Sequence, residues 1–293
     1  MKQTCKRLYV VVLLAFAFTA LGGAAAWPEV RGQFSRSLQV SGPVNLEVEN
    51  GSGDIVVHEG GSGSVEIRAK IQAGEHWGNS GAAEARVHEI ENKPPVEQDG
   101  NTIRIRQRGD RGEWRNISID YEITVPSDTQ LNSRTGSGDV TVEGIRGPVE
   151  AETGSGDVKV SSVHGNVTAQ TGSGNAKFAG IEAERVEVKT GSGDVEVRDL
   201  HCALVARTGT GDIEAQGQPT GEWRLHTGSG EVKLTLPSDL GFDLEARTSS
   251  GDVNTHLPIT VQGALGHGEV RGKVRGGGVP VEVQTGSGDI SID

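Results

Sequence analysis

Along most of the chain, apolar residues come in pairs two positions apart, and the pairs recur on a steady beat. Val149 and Ala151 precede a short glycine-rich phrase, and Val158 and Val160 follow it. The same slots hold Val167/Ala169 and Ala176/Phe178, then Val186/Val188 and Val195/Val197, then Leu204/Ala206 and Ile213/Ala215. They continue through Trp223/Leu225 and Val232/Leu234, Leu244/Ala246 and Val253/Thr255, and Val281/Val283 and Ile290/Ile292. A spacing of two marks a strand with one buried face. The residues between, such as Glu150, Glu152, Lys159, Glu187, Lys189, Glu196 and Arg207, are polar or charged and belong outside.

The phrase between the pairs reads Thr-Gly-Ser-Gly-Asp-Val-x-Val at Thr135, Thr153 and Thr190, with looser copies at Thr171, Thr208, Thr227, Thr248 and Thr285. An eroded copy, Leu265–Val270, fills one double-length gap, and the steps between starts are then 18, 18, 19, 18, 19, 21, 17 and 20 residues. A fixed period of this size predicts stacked like units, because one unit cannot bury its inner face alone. Glycine takes up positive φ cheaply, and Ser and Asp bond nearby amides, so Gly-Ser-Gly-Asp reads as the corner between two short strands. The predicted fold is all-β: a single-chain parallel β-solenoid, about 18 residues and two short strands per rung, the rungs about 4.8 Å apart. Crossovers between parallel strands favour a right-handed coil, although a left-handed one also suits this period. Aromatic residues make up only 4% of the chain, which fits a narrow coil filled by Val and Ala.

Taken in order, residues 1–26 read as a signal peptide. Lys2, Lys6 and Arg7 precede the apolar run Leu8–Leu21, and Ala24 and Ala26 form a small-residue cleavage site. Residues 27–126 read as a β-rich N-terminal cap. Its strands surround a first corner at Asn50–Asp54, and Ile103–Ile105 and Ile117–Val125 complete it across a charged turn at 108–113. An insertion at 73–100 breaks the pattern: Ala82–Asn92 has helix-forming composition with Ala83, Val87 and Ile90 on one face, and Pro94-Pro95 stops it. Residues 127–293 form the repeat domain, loosening into a glycine-rich flank over Gly263–Gly278. The last strand, Ile290–Ile292, ends the chain with no cap and predicts a bare edge.

Formal net charge is −12; cleavage after Ala26 removes three basic residues and no acidic one, leaving −15. Such a rod repels nucleic acid and anionic bilayers. Cys5 leaves with the signal, so Cys202 stands alone and is expected to be a buried small apolar residue rather than half of a disulfide. No Gly-x-Ser-x-Gly elbow, phosphate loop or dinucleotide fingerprint occurs, and the histidines, including His76 and His267, show no metal-ligand spacing.

Two columns carry candidate chemistry. Asp54, Asp139, Asp157, Asp194, Asp212, Glu231, Asp252 and Asp289 occupy one slot, interrupted by Asn175. Stacked carboxylates invite a cation, which makes Asp139, Asp157, Asp194, Asp212, Asp252 and Asp289 candidate calcium ligands. Corner chemistry is the weightier alternative: the spacing differs from the calcium-binding nonapeptide, and Arg134, Lys189, Arg207, His226 and Arg247 flank the same corner. The threonine column shares the parity of the apolar residues and should point inward as a structural element. Outward slots around each corner, notably Lys159, Lys177, Lys189, Arg207, Glu196 and Glu214, are the candidate binding faces.

The signal peptide, the β-rich lead-in and the Gly-Ser-Gly-Asp-Val rungs together resemble the bacterial adhesin-domain family over roughly residues 38–293. The resemblance implies an exported or envelope-associated β-solenoid, in the periplasm, at the cell surface or secreted. It brings no catalytic residues with it. The expected function is a non-enzymatic, adhesin-like binding scaffold with no cofactor, whose charged faces meet a polysaccharide or protein of the envelope. The alternatives are a periplasmic structural or regulatory scaffold, linked to envelope stress, that associates with itself end to end, and a polysaccharide-acting β-helix enzyme. The last needs groups converging in a cleft built by long loops, whereas these rungs are nearly minimal.

Overall fold

A computed structural model of the chain describes residues 30–74, 80–107, 114, 116–261 and 268–293. The signal segment 1–26, the charged turn at 108–113, His76, His267 and the first half of the eroded phrase at 265–270 lie outside the described residues.

The chain is mostly β. Strands Thr129–Ser137, Val149–Ser155 and Val167–Ser173 pair in parallel without offset, so that Val149 faces both Leu131 and Val167, and Thr153 faces both Thr135 and Thr171. After the corner, Val140–Glu143, Val158–Val163 and the first part of Ala176–Ser192 pair the same way. The pattern continues through Val195–Thr210, Ile213–Gly217, Trp223–Ser229 and Val232–Thr235. Val140, Val158 and Val195 lie opposite their counterparts and are fully buried, as the alternation requires. Ala176–Ser192 and Val195–Thr210 run as single strands around a bend where two were expected.

A third inward row escaped the sequence reading. Ile145, Val163, Ile181 and Leu200 are each fully buried, three residues beyond the second apolar pair. One isolated apolar residue per repeat gives no alternation to detect, although its constant offset of three was visible.

The order of stacking departs from the order of the chain at both ends. The corner unit 44–59 lies between 129–143 and the unit formed by Thr102–Arg106 and Ile117–Val125. At the other end, Val279–Ser287 and Ile290–Ile292 lie between Trp223–Thr235 on one side and Phe242–Thr255 on the other. The expected bare edge at Ile290–Ile292 is therefore wrong: this strand is paired on both sides and Ile290 and Ile292 are fully buried. The described end of the eroded phrase does not pair in parallel either. Glu269–Val274 pairs antiparallel with Phe242–Arg247 and with Ile259–Val261, so this part of the flank expected to be loose is an ordered strand. Parallel stacking needs only a matching corner on each side, so any two units can be neighbours in space whatever their order in sequence.

The N-terminal end is closed by antiparallel strands and one helix. Val30–Gln39 pairs with Ser64–Ala73, which pairs with Ile117–Val125. The expected helix spans Ser80–Asn92 and buries Val87 and Ile90. It seats on Gly32, where a Cβ would lie 2.3 Å from the Val87 side chain. The Glu91 carboxylate accepts the Gln33 amide at 2.9 Å, blocking part of the outer strand edge. That bond, helped by His88, holds the Glu91 carboxyl below the usual carboxylate range. No helix among the described residues is long and apolar enough to cross a membrane.

Candidate functional site

The corner is a joint between neighbouring units, and each residue of the phrase has a part in it. The threonine hydroxyl points inward and donates to the carbonyl of the second glycine one unit away: Thr153 to Gly138 at 2.8 Å, Thr171 to Gly156 at 2.9 Å, Thr190 to Gly174 at 3.0 Å. Thr208, Thr227, Thr285 and Thr248 repeat the bond to Gly193, Gly211, Gly230 and Gly288. In the first corner Asn50 takes the threonine's place and reaches the Ile119 carbonyl at 2.7 Å. The second glycine has two constraints, seen at Gly138: φ is +136°, and a Cβ would lie 2.3 Å from the Gly53 carbonyl oxygen. The first glycine is needed for closeness alone, since a Cβ on Gly154 would meet the Gly136 oxygen at 2.5 Å.

The acidic column completes the joint. Asp54 accepts the backbone amide of Asp139 at 2.8 Å, Asp139 that of Asp157 at 2.9 Å, and Asp157 that of Asn175 at 2.8 Å. Asn175 does the same for Asp194 through its amide oxygen, Asp194 for Asp212, and Asp212 for Glu231. At the rearranged end Asp289 accepts the amide of Asp252 at 2.9 Å. One oxygen of Asp54, Asp139, Asp157, Asp194, Asp212 and Asp289 is thus committed to a backbone donor, and the neutral Asn175 serves as well as aspartate. Among the described residues no group of three or more His, Cys, Asp or Glu side chains is arranged to hold a metal ion.

The cations before the threonines do not offset this column. Arg134 pairs with Glu150 at 2.9 Å and Glu152 at 3.1 Å, and the Glu150 carboxylate raises its proton affinity further. Arg247 pairs with Glu245 and Glu269, and Lys189 with Glu187, whose carboxyl that bond lowers. Alternation explains the correction: the slot before threonine points to the outer face of the first strand, away from the corner carboxylate. Among the described residues the Lys159 ammonium is the cation that reaches the column, 3.5 Å from Asp139.

The six binding-face candidates divide between two faces. Lys159, Lys177, Glu196 and Glu214 stand opposite one another in register on the outer side of the second strands, continued by Lys233. Lys177 pairs with Glu196 at 3.1 Å, Arg198 with Glu196 at 2.6 Å, and Lys233 approaches Glu214 at 4.0 Å. Lys189 and Arg207 are neighbours on the first-strand face. Cys202 is fully buried and free, as expected, and burial pushes its thiol up to about 12. Its carbonyl accepts the Trp223 indole N–H at 2.8 Å.

The family model for Toastrack DUF4097 matches residues 44–293. Among solved structures, a "putative adhesin" from Bacteroides fragilis is 14% identical, with 89% of this chain and 97% of that chain covered and a TM-score of 0.47. Another, from Parabacteroides distasonis, is 11% identical over 89% and 97% of the two chains with a TM-score of 0.42. A "putative lipid binding protein" from the same species is 12% identical over 89% and 96%, with a TM-score of 0.37. No curated protein matches the chain.

Proposed function

The chain belongs to the Toastrack DUF4097 family, and on that premise we propose that it is an exported, non-enzymatic binding scaffold of the cell envelope. In this reading residues 1–26 direct export and are removed, residues 27–126 cap the stack, and residues 127–293 supply the body of a parallel β-solenoid. Its partner is a polysaccharide or protein of the envelope, met through the outer faces without a cofactor. The observation that carries the reading is the register of the second-strand face, where Lys159, Lys177, Glu196, Glu214 and Lys233 repeat one outward slot along the stack. Repeated weak contacts on a rigid frame add through shared geometry. The non-enzymatic reading is supported by the acidic column, where one carboxylate oxygen each of Asp54, Asp139, Asp157, Asp194 and Asp212 is engaged by a backbone amide.

Two measurements test this. Fractionation with protease accessibility on whole cells should find the processed chain in the envelope; an unprocessed cytoplasmic chain sinks the proposal. Purified mature protein should bind isolated envelopes, and Lys159→Glu with Lys177→Glu should weaken that binding. Unchanged binding in the double variant removes the face from the account.

Self-association is a second reading, but it shifts from the chain terminus to the end of the stack. The short strand Val253–Thr255 pairs only with Ile290–Ile292 among the described residues, leaving one side for another chain. Analytical ultracentrifugation decides it: a concentration-independent monomer ends this reading.

A further inference from the structure

We propose that the groove beside the first corners is a binding cleft for an uncharged oligosaccharide. The proposal rests on the scaffold reading above and gives it a place and a ligand class. The groove measures about 1250 Å³, room for several sugar units. Its floor includes the corner backbone at Gly51, Gly136 and Gly154, with the Gln107 carboxamide standing over Gly51. Glu49, Arg134 and Glu152, in register on the outer face of the first strands, line it together with Gln107, Trp114 and Asn116. The cleft spans the junction of the cap with the first repeats, since Gln107, Trp114 and Asn116 line it together with Arg134, Gly136, Glu152 and Gly154.

The lining matches what a sugar offers. A pyranose has C–H faces that pack on an aromatic ring, and rims of hydroxyls that each donate and accept. Carboxylates, guanidinium and carboxamides present two polar atoms side by side and can bridge adjacent hydroxyls. All three kinds line this groove together with an indole. The side chains are also held in place. Arg134 is fixed between Glu150 and Glu152, and Gln107 donates to the Asn50 amide oxygen at 3.0 Å. Asn50 in turn donates to the Gly53 and Ile119 carbonyls. Trp114 borders both this groove and a second cavity; the Arg86 guanidinium, 4.7 Å from the ring centroid, lines only the second. The cation–π contact holds the indole at the border of the cleft.

Competing ligand classes fit less well. Two carboxylates against one guanidinium disfavour a polyanion, nucleic acid included. An extended peptide would add to a strand edge, whereas this floor is made of strand corners.

The test is a glycan array carrying neutral, uronate-containing and sialylated oligosaccharides, probed with the full mature chain and three variants. Wild type should bind neutral glycans. Trp114→Ala and Glu152→Gln, the latter on an outward strand position that tolerates the change, should each weaken binding roughly tenfold or more. Glu182→Gln, an exposed change outside both proposed surfaces, should leave it unchanged. Binding that survives both Trp114→Ala and Glu152→Gln overturns the cleft, as does an array without any neutral hit. If glycan binding falls with Glu182→Gln alone, the cleft is overturned while the scaffold reading stands. If envelope binding fails as well, both fall.

Discussion

The hydroxyl of Thr285 donates to the carbonyl of Gly230 at 3.0 Å across 55 residues of chain, whereas Thr153 and Thr227 reach back only 15 and 16 for the same bond. The last corner of the sequence has been set into a joint that chain order would have given to Thr248. Thr248 then bonds Gly288, 40 residues further on. Geometry at the joint is unchanged, so the energetic consequences of the phrase are the same wherever it stacks.

Replacing Thr227 by Val keeps the volume and removes the donor. The Gly211 carbonyl then loses its buried partner, at a cost of ~1–3 kcal/mol. Urea unfolding should show a lower midpoint with an unchanged slope; an unaltered midpoint contradicts the structural role of the column.

The acidic column makes a chemical prediction of its own. Asp157→Asn should unfold within about 0.5 kcal/mol of wild type, since an amide oxygen already does this work at Asn175, while Asp157→Ala should lose roughly 1 kcal/mol. Millimolar calcium should not move the melting temperature of either protein. A calcium-dependent rise that Asp157→Asn abolishes would restore the cation reading.

Two glycine replacements separate closeness from conformation. Gly138→Ala meets both the positive φ and the Gly53 oxygen and should cost more than ~2 kcal/mol. Gly276, at φ +89° with nothing within 4 Å of an added Cβ, should lose only about 1 kcal/mol as alanine. Equal losses in chemical denaturation would refute the close approach of the corners.

Removing residues 279–293 opens a slot inside the stack instead of trimming an end. Val281, Val283, Ile290 and Ile292 are all buried there, at about 1.5–3 kcal/mol apiece. Together they rival the ~5–15 kcal/mol net stability of a folded protein. The shortened chain should be cut rapidly by protease within 236–275, where the full chain resists; comparable resistance would show that the inserted strands are dispensable.

The Cys202 thiol gives a pH signature. Its proton is held up to about 12 in the folded chain, above the ordinary value of 9.0, because burial penalises the thiolate. Below pH 9 both states keep the proton and stability is unaffected. Between 9 and 12 only the unfolded chain ionises, so stability falls as pH rises through that window. A thiol reagent at pH 8.5 should label the protein only after denaturation. Stoichiometric labelling of the native protein would show that the site is open.

The repeat, the inward faces and the helix at Ser80–Asn92 were legible because each is written in local spacing: pairs two apart, a corner every 18 or so residues, Val87 and Ile90 on one helical face. Stacking order was not legible. Thr248 and Thr285 carry the same joint chemistry, so nothing in either phrase says which one follows Thr227. The direction of the Asp139 carboxylate was likewise hidden, since one of its oxygens accepts an amide 18 residues away and the other meets Lys159, rather than the cation before the threonine. The groove beside Trp114 lay out of reach for a related reason: Gln107, Trp114 and Asn116 come together with Arg134 and Glu152 only when 44–59 is slotted between their units.

Interchangeable joints also let the molecule change span in whole steps. Excising residues 153–170 would present the Thr171 hydroxyl to Gly138 and the Asn175 amide to Asp139, the partners that Thr153 and Asp157 hold now. Tandem gain or loss of one such module therefore lengthens or shortens the ruler without rewriting either end, and the reach of the protein becomes a trait that recombination can tune separately from its stability.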